Sequence, residues 1–251
     1  MRGAAPALLA QQAHRPWPAP RRPWALRQVW HDLLFAHWPV QGAVLRPLIP
    51  AGLTLQEFAG SAWVAVTPFW MSDIAFRGFP ALPGVSRFDE LNVRTYVTCQ
   101  NRPGVWFFSL DAGNRLAVLV ARRLYGLPYI PARMWHRAEG DALRYHAQRA
   151  DGAGFDASYG PIGPPALSVP GSLEHWLTER YCLYAAGRDG TLYRAEIHHA
   201  PWGLQPAQAG IRRNQLPQAS GIHLEGEPAL LHFSRRLEVL VWPRERLLTG
   251  G

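Results

Sequence analysis

Three stretches limit what this chain can fold into: Ser61-Ala-Trp-Val-Ala-Val-Thr-Pro-Phe-Trp70, Leu91 to Cys99, and Val105 to Leu110. Each is dense in β-branched and aromatic residues, which suit a pleated, half-buried surface and lose rotamer freedom in a helix. Three strands are predicted. In the second, the period of two puts Asn92, Arg94, Tyr96 and Thr98 on one face and Leu91, Val93, Thr95, Val97 and Cys99 on the other. One face of an otherwise apolar strand is therefore polar, and that polarity needs a reason.

The remaining segments add few helices. Val29 to Phe35 carries helical spacing that stops at Trp38-Pro39, and Arg46-Pro-Leu-Ile-Pro50 reads as an extended corner. Leu116, Val120, Arg123 and Leu124 recur at helical spacing, with Asn114 as N-cap and Gly126 followed by Pro128 as the stop. Ala142 to Arg149 reads as a strand, and Asp151 to Gly171, dominated by Gly, Pro and Ser, as a long surface loop. Ser172 caps a short helix with Glu174 in its first turn. Gly187-Arg-Asp-Gly190 is a hairpin turn leading into Thr191 to His199, and Leu237 to Trp242 is a last strand. The fold class expected is α+β, dominated by β.

The chain is long enough for a substantial core, and its 48% apolar and 18% charged residues exclude general disorder. Its formal charge of +8 is concentrated at the front, where Arg2, Arg15, Arg21, Arg22 and Arg27 face no acid within residues 1–30. The rest carries 21 arginines against 18 acids, +3. With no recognisable DNA-binding motif, specific nucleic-acid partners are not expected. Residues 1–28 read as a disordered, basic, Pro/Arg-rich extension that adds little packing, and residues 29–247 as a single domain. Two cysteines, Cys99 and Cys182, fit a reducing, cytoplasmic compartment, and no apolar run is long enough to span a membrane.

Several chemistries find no support. His198 and His199 are neighbours on a strand and point to opposite faces, and His37, His175 and His232 show no metal-ligand spacing, so no metal is expected. Ser172 and Ser234 lack a nucleophile elbow, and no Gly-rich phosphate cradle suggests a nucleotide cofactor. The chain contains no lysine, so no side-chain amine can form an imine.

A set of unusual words in one order carries a resemblance: His37-Trp-Pro-Val40, Leu45-Arg-Pro-Leu-Ile-Pro50, Glu90-Leu-Asn-Val-Arg-Thr-Tyr-Val97, Val105-Trp-Phe-Phe-Ser-Leu-Asp111, Pro170-Gly-Ser-Leu-Glu-His175 and Leu231-His-Phe-Ser-Arg-Arg236. The chain resembles the YqjF-like family of prokaryotic proteins (domain of unknown function 2071) from about Trp30 to Arg244. Ser109-Leu-Asp-Ala-Gly-Asn114 followed by Ala121-Arg-Arg-Leu-Tyr-Gly-Leu-Pro-Tyr129 is also distantly similar to acetoacetate decarboxylase. That likeness implies a β-cone or barrel-like sheet around an apolar pocket. Where the decarboxylases carry two lysines, one of them the imine-forming residue, this sequence has Tyr129 and Ile130.

Three residues stand out as site candidates. Glu90 and Arg94 share a face of one strand, where they either grip and polarise a small acid or form a structural ion pair. The planar fork of Arg94 suits bidentate carboxylate recognition, Glu90 would act as acid or base, and Tyr129 would donate a hydrogen bond unless it only fills the space of the missing lysine. The reading is a pocket for a carboxylate-bearing small molecule, acting on an oxo- or hydroxy-acid without Schiff-base chemistry. The alternatives are a non-catalytic sensing domain or a scaffold, and a homo-oligomer is left open.

Overall fold

Strand pairing organises nearly the whole chain in the computed structural model, which describes residues 4–248. The strands are β1 (Leu26–Val40), β2 (Thr54–Leu55), β3 (Ala62–Phe76), β4 (Phe88–Cys99), β5 (Arg102–Ala112), β6 (Tyr129–Glu139), β7 (Ala142–Arg149), β8 (Gly154–Pro161), β9 (Cys182–Ala186), β10 (Leu192–His198), β11 (Gln205–Asn214), β12 (Leu230–Val241) and β13 (Glu245–Arg246). The helices are short: α1 (Ala4–Ala10), α2 (Gly42–Leu45), α3 (Arg115–Tyr125) and α4 (Leu173–Thr178). The β-dominated class expected from the sequence is the one observed.

The order β13-β10-β9-β5-β6-β7-β8-β11-β12-β1-β3-β4-β2, with further pairings β4–β5 and β10–β12, closes the sheet on itself twice. β1, β3 and β4 become a wall with an apolar interior on each side. Leu34, Ala36, Val64, Val66, Leu91 and Val93 face one interior, together with Tyr145, Phe155 and Tyr159 from β7 and β8. Leu33, Phe35, Trp63, Phe69 and Tyr96 face the other, together with α3, β9 and β10.

Several local expectations hold. Asn114 Oδ1 accepts from the amides of Leu116 and Ala117, and Gly126 takes the left-handed conformation, at φ +68°, that ends α3. Ser172 Oγ accepts from the His175 amide at the start of α4.

Others are corrected. Val29 to Phe35 is not helical but lies within β1, which pairs with β12 on one edge and β3 on the other. Leu33 to Trp38 are buried on both faces. Such a strand presents a continuous apolar run, which periodicity alone does not separate from a helix. The corner at Arg46 is a 3-10 turn over Arg46–Leu48. The supposed loop from Asp151 contains β8, whose glycines are there for close approach: a Cβ on Gly154 would lie 2.7 Å from the Ala147 carbonyl oxygen, and one on Gly160 would lie 2.8 Å from that of Asp141.

The front of the chain is the largest correction. Residues 1–3 of the expected disordered extension lie outside the described residues, but the part that follows is docked on the domain: Leu8 packs with Leu240 and Trp242, and His198 Nε2 lies 2.9 Å from the Leu8 carbonyl. Arg15 is buried, with Nη2 3.0 Å from Glu196 Oε2 and Nη1 donating to the Ile197 carbonyl at 2.6 Å. Trp17 Nε1 donates to the same Glu196 oxygen at 2.8 Å, and Arg102 Nη1 reaches Oε1 at 2.5 Å. Composition suggests a solvated basic tail, but a buried carboxylate on β10 supplies the partner that orders it.

Arg15→Ala should therefore lower stability by about 2 kcal/mol, less than a lone buried pair because Arg102 still holds Glu196. The urea midpoint checks this, and an unchanged midpoint would mean that the segment is undocked in solution.

Candidate functional site

Closure of the sheet leaves a cavity of about 490 Å³ between β4, β5, α3, the β3–β4 connection and the segment from Thr178 to Trp202. The polar face of β4 lines it. Glu90, Asn92 and Arg94 all border the cavity and all are buried, so the strand's polarity is turned into an enclosed space rather than toward water. A bulge in β5 accompanies them, since Val93 pairs with Ser109 and Arg94 with Phe107, leaving Phe108 without a partner on β4.

Tyr129 begins β6, held by parallel pairing to Leu110 and by the Arg122 guanidinium, whose Nε donates to its carbonyl at 2.6 Å. Its hydroxyl donates to Glu90 Oε2 at 2.7 Å. The glutamate backbone is fixed as well, its carbonyl accepting from the Tyr145 hydroxyl at 2.8 Å. Burial pushes the Glu90 carboxyl up to about 8; the Tyr129 hydrogen bond opposes the shift and the nearby Asp111 charge adds to it. Burial, followed by the negative charge of Glu90, raises Tyr129 well above an ordinary phenol. At neutral pH Glu90 is largely a neutral acid and Tyr129 a phenol that can only donate or accept hydrogen bonds.

Arg94 does not pair with Glu90. Its guanidinium lies over the Phe35 ring, 5.3 Å from the centroid, and its Nε has no hydrogen-bond partner. Beside it, His37 Nε2 lies 2.7 Å from the Tyr96 hydroxyl. Burial and then the Arg94 charge hold His37 well below the usual histidine range, so it is neutral.

Sequence reasoning missed a second cation, Arg180. It follows α4, donates from Nε to the Trp176 carbonyl at 2.6 Å and from Nη1 to Gln56 Oε1 at 2.6 Å, and stacks over Trp176 and Tyr96. Its Nη2 has no partner, and burial, with a smaller contribution from Arg94, lowers it to about 10, so it stays charged at neutral pH. Among the described residues, neither Arg94 nor Arg180 forms a salt bridge. Two buried, uncompensated guanidinium groups on one cavity are costly unless an anion joins them. No local pattern marks Arg180, because only the long-range return of the chain after α4 brings it to β4.

His199 also lines the cavity, while His198 turns to the Leu8 carbonyl on the other side. Among the described residues no cluster of three or more His, Cys, Asp or Glu could hold a metal ion, and no helix is long and apolar enough to cross a membrane.

Comparison with known proteins places these features. The family model DUF2071, described as an uncharacterized conserved protein, matches residues 27–238. The YqjF protein of Bacillus subtilis is 46% identical over 222 residues, covering 88% of this chain and 91% of that protein. Among solved structures, acetoacetate decarboxylase from Legionella pneumophila superposes with a TM-score of 0.64 at 15% identity, covering 93% of each chain. The enduracididine biosynthesis enzyme MppR complexed with pyruvate gives 0.63 at 10% identity, covering 92% of this chain and 93% of that one. At such identities the likeness establishes the acetoacetate decarboxylase-like fold and nothing about the reaction.

The raised Glu90 has a consequence for stability. The folded protein binds a proton that the unfolded chain has released, so stability falls as pH rises from the ordinary carboxylate value of 4.5 through about 8. Glu90→Gln should lack this component and gain on the wild type by a few kcal/mol between pH 5 and pH 8.5, as read from paired urea midpoints. Parallel pH profiles for the two proteins would place the Glu90 pKa in the ordinary range.

Proposed function

The chain belongs to the DUF2071 family, and we propose that it binds an oxo- or hydroxy-acid in this cavity and moves a proton on it without forming an imine. The observation that carries the proposal is the pair of buried guanidinium groups, Arg94 and Arg180, each with a donor nitrogen unpaired and, among the described residues, neither in a salt bridge. A carboxylate is the group whose charge and geometry they match, and the planar fork of arginine takes it through two parallel hydrogen bonds.

Glu90 and Tyr129 supply the other half of the chemistry. A carboxyl with a pKa near 8 divides between acid and base around neutral pH, which is where general acid–base groups work best. As the acid it donates to a carbonyl or hydroxyl oxygen of the bound molecule. As the carboxylate it accepts a proton from the carbon beside that carbonyl, with the Tyr129 hydroxyl donating to its other oxygen. The apolar walls, including Phe69, Leu110 and Trp202, lower the local dielectric and strengthen each of these interactions. The pyruvate complex of MppR, a protein of the same fold, lends support to an oxo-acid as the class of ligand.

The test is a thermal-shift panel of oxo- and hydroxy-acids against their neutral amides. Acids should raise the Tm and amides should not; Arg94→Met should abolish the shift, and Arg94→Lys should weaken it although charge is kept. A shift indifferent to Arg94→Met would remove the anion-binding reading. Deuterium exchange beside the ketone, followed by NMR on a bound oxo-acid, should fall about 100-fold in Glu90→Gln while binding persists. Binding with no exchange in the wild type would make the protein a sensor rather than an enzyme. Borohydride added with pyruvate should leave no stable mass increase on any side chain, because the chain has no lysine; an adduct mapped to an internal residue would overturn the imine-free reading.

A further inference from the structure

We infer that the acid carries an extended apolar chain, held in a channel between α3 and the β3–β4 connection; the head-group half of this rests on the reading just given. The cavity is graded along its length. Its charged lining, Glu90, Arg94 and Arg180, is buried together with Asn92, Thr178 and His199, whereas the exposed residues that line it are apolar.

On one side of the opening, Leu116, Val120 and Leu124 recur every four residues along α3 and form a single stripe, with the small Ala117 and Ala121 beside them leaving room. All three are exposed, the reverse of a surface helix that hides its apolar stripe. On the other side stand Phe76, Phe79 and Leu82, also exposed. The two walls are tied together by Asn114, whose Nδ2 donates to the Gly84 carbonyl at 2.9 Å while its Oδ1 caps α3. An exposed apolar surface continuous with an enclosed cationic base matches one molecule that has both characters.

Dimensions point the same way. Glu90 and Arg94 are four residues apart on one strand, about 13 Å at the usual strand rise, so an acid seated on Arg94 brings its oxo or hydroxy group to Glu90 only when several carbons separate that group from the carboxylate. The Arg94 guanidinium leans toward Phe35, and its charge is felt at Tyr96, farther along β4 from Glu90. A three-carbon acid seated on Arg94 would leave most of the 490 Å³ unfilled, whereas a chain of medium length runs from the guanidinium groups past Glu90 and Tyr129 and out between the two walls.

The experiment measures binding of saturated carboxylic acids of four to fourteen carbons, below their micelle concentrations, by quenching of tryptophan emission, since Trp30 and Trp202 line the cavity. Kd should fall about fourfold per added methylene until the channel is full. Arg94→Met should weaken every length by a similar factor. Leu116→Ser combined with Leu124→Ser should leave the shortest acids unaffected and flatten the length dependence. Phe79→Ser, in the opposite wall, should flatten it as well and guards against a folding defect in the helix variant.

Short acids that bind through Arg94 with no gain from length would overturn the channel and leave the anion site standing. Alcohols that bind as tightly as acids and ignore Arg94→Met would overturn the head-group reading and the proposal with it. Length dependence unchanged in the wall variants, together with their conversion from dimer to monomer in sedimentation, would make the stripe a self-association face and also overturn it.

Discussion

β4 is hydrogen-bonded along both edges, to β3 and β5, and buried on both faces, and the candidate site depends on that position. The paired edges satisfy its backbone, so the strand has little freedom to shift, and the period of two fixes which side chains meet which interior. Leu91 and Val93 fill the core on one side. Glu90, Asn92 and Arg94 enter the cavity on the other, where water is scarce and each polar group takes its ionisation and partners from its neighbours. Tyr129 completes this arrangement because the parallel pairing of β6 with β5 brings its hydroxyl to Glu90.

The electrostatic pattern that results is asymmetric. Among the described residues, two buried arginines on the cavity have no salt-bridge partner, while Glu90, whose carboxyl faces the same cavity, is pushed toward its neutral form. Had Glu90 paired with Arg94, both would be quenched and the strand's polarity would be a matter of stability alone. Their separation along β4 keeps both available. Elsewhere the same fold does pair its buried charges: Asp111 on β5 receives Nε and Nη2 of Arg149 at 2.5 and 2.6 Å, and Glu196 gathers Arg15, Arg102 and Arg194. That contrast sets Arg94 and Arg180 apart from the arginines whose work is structural.

What could be read from the sequence followed the range of the interactions concerned. The caps at Asn114 and Ser172, the stop at Gly126 and the alternation of β4 are decided within a few residues, and each was legible. Val29 to Phe35 within β1 shows helical spacing because burial on both faces erases the alternation that identifies a strand. β8 resembles a loop in sequence because its glycines, placed for close contact with β7, look like turn residues out of context. Within the site, Glu90, Arg94 and Tyr129 could be picked out by strand period and by resemblance, and the structure brings all three to one cavity. Arg180 could not, since its role depends on a contact with Gln56 across 124 positions of chain.

The docking of Arg15 on Glu196 closes a loop of 181 residues and bears on how the chain reaches its native state. The segment that carries Arg15 is made long before the strand that receives it, and Arg102 and Arg194 can reach Glu196 without it. Its attachment therefore belongs late in folding, after the sheet has closed. Long-range closure of this kind is slow, and until it happens Leu240 and Trp242 lie uncovered on β12 and just beyond. A nascent chain of this protein would pass through an interval in which the outer face of its finished sheet is still sticky, which makes that face the place where a chaperone would be expected to hold it.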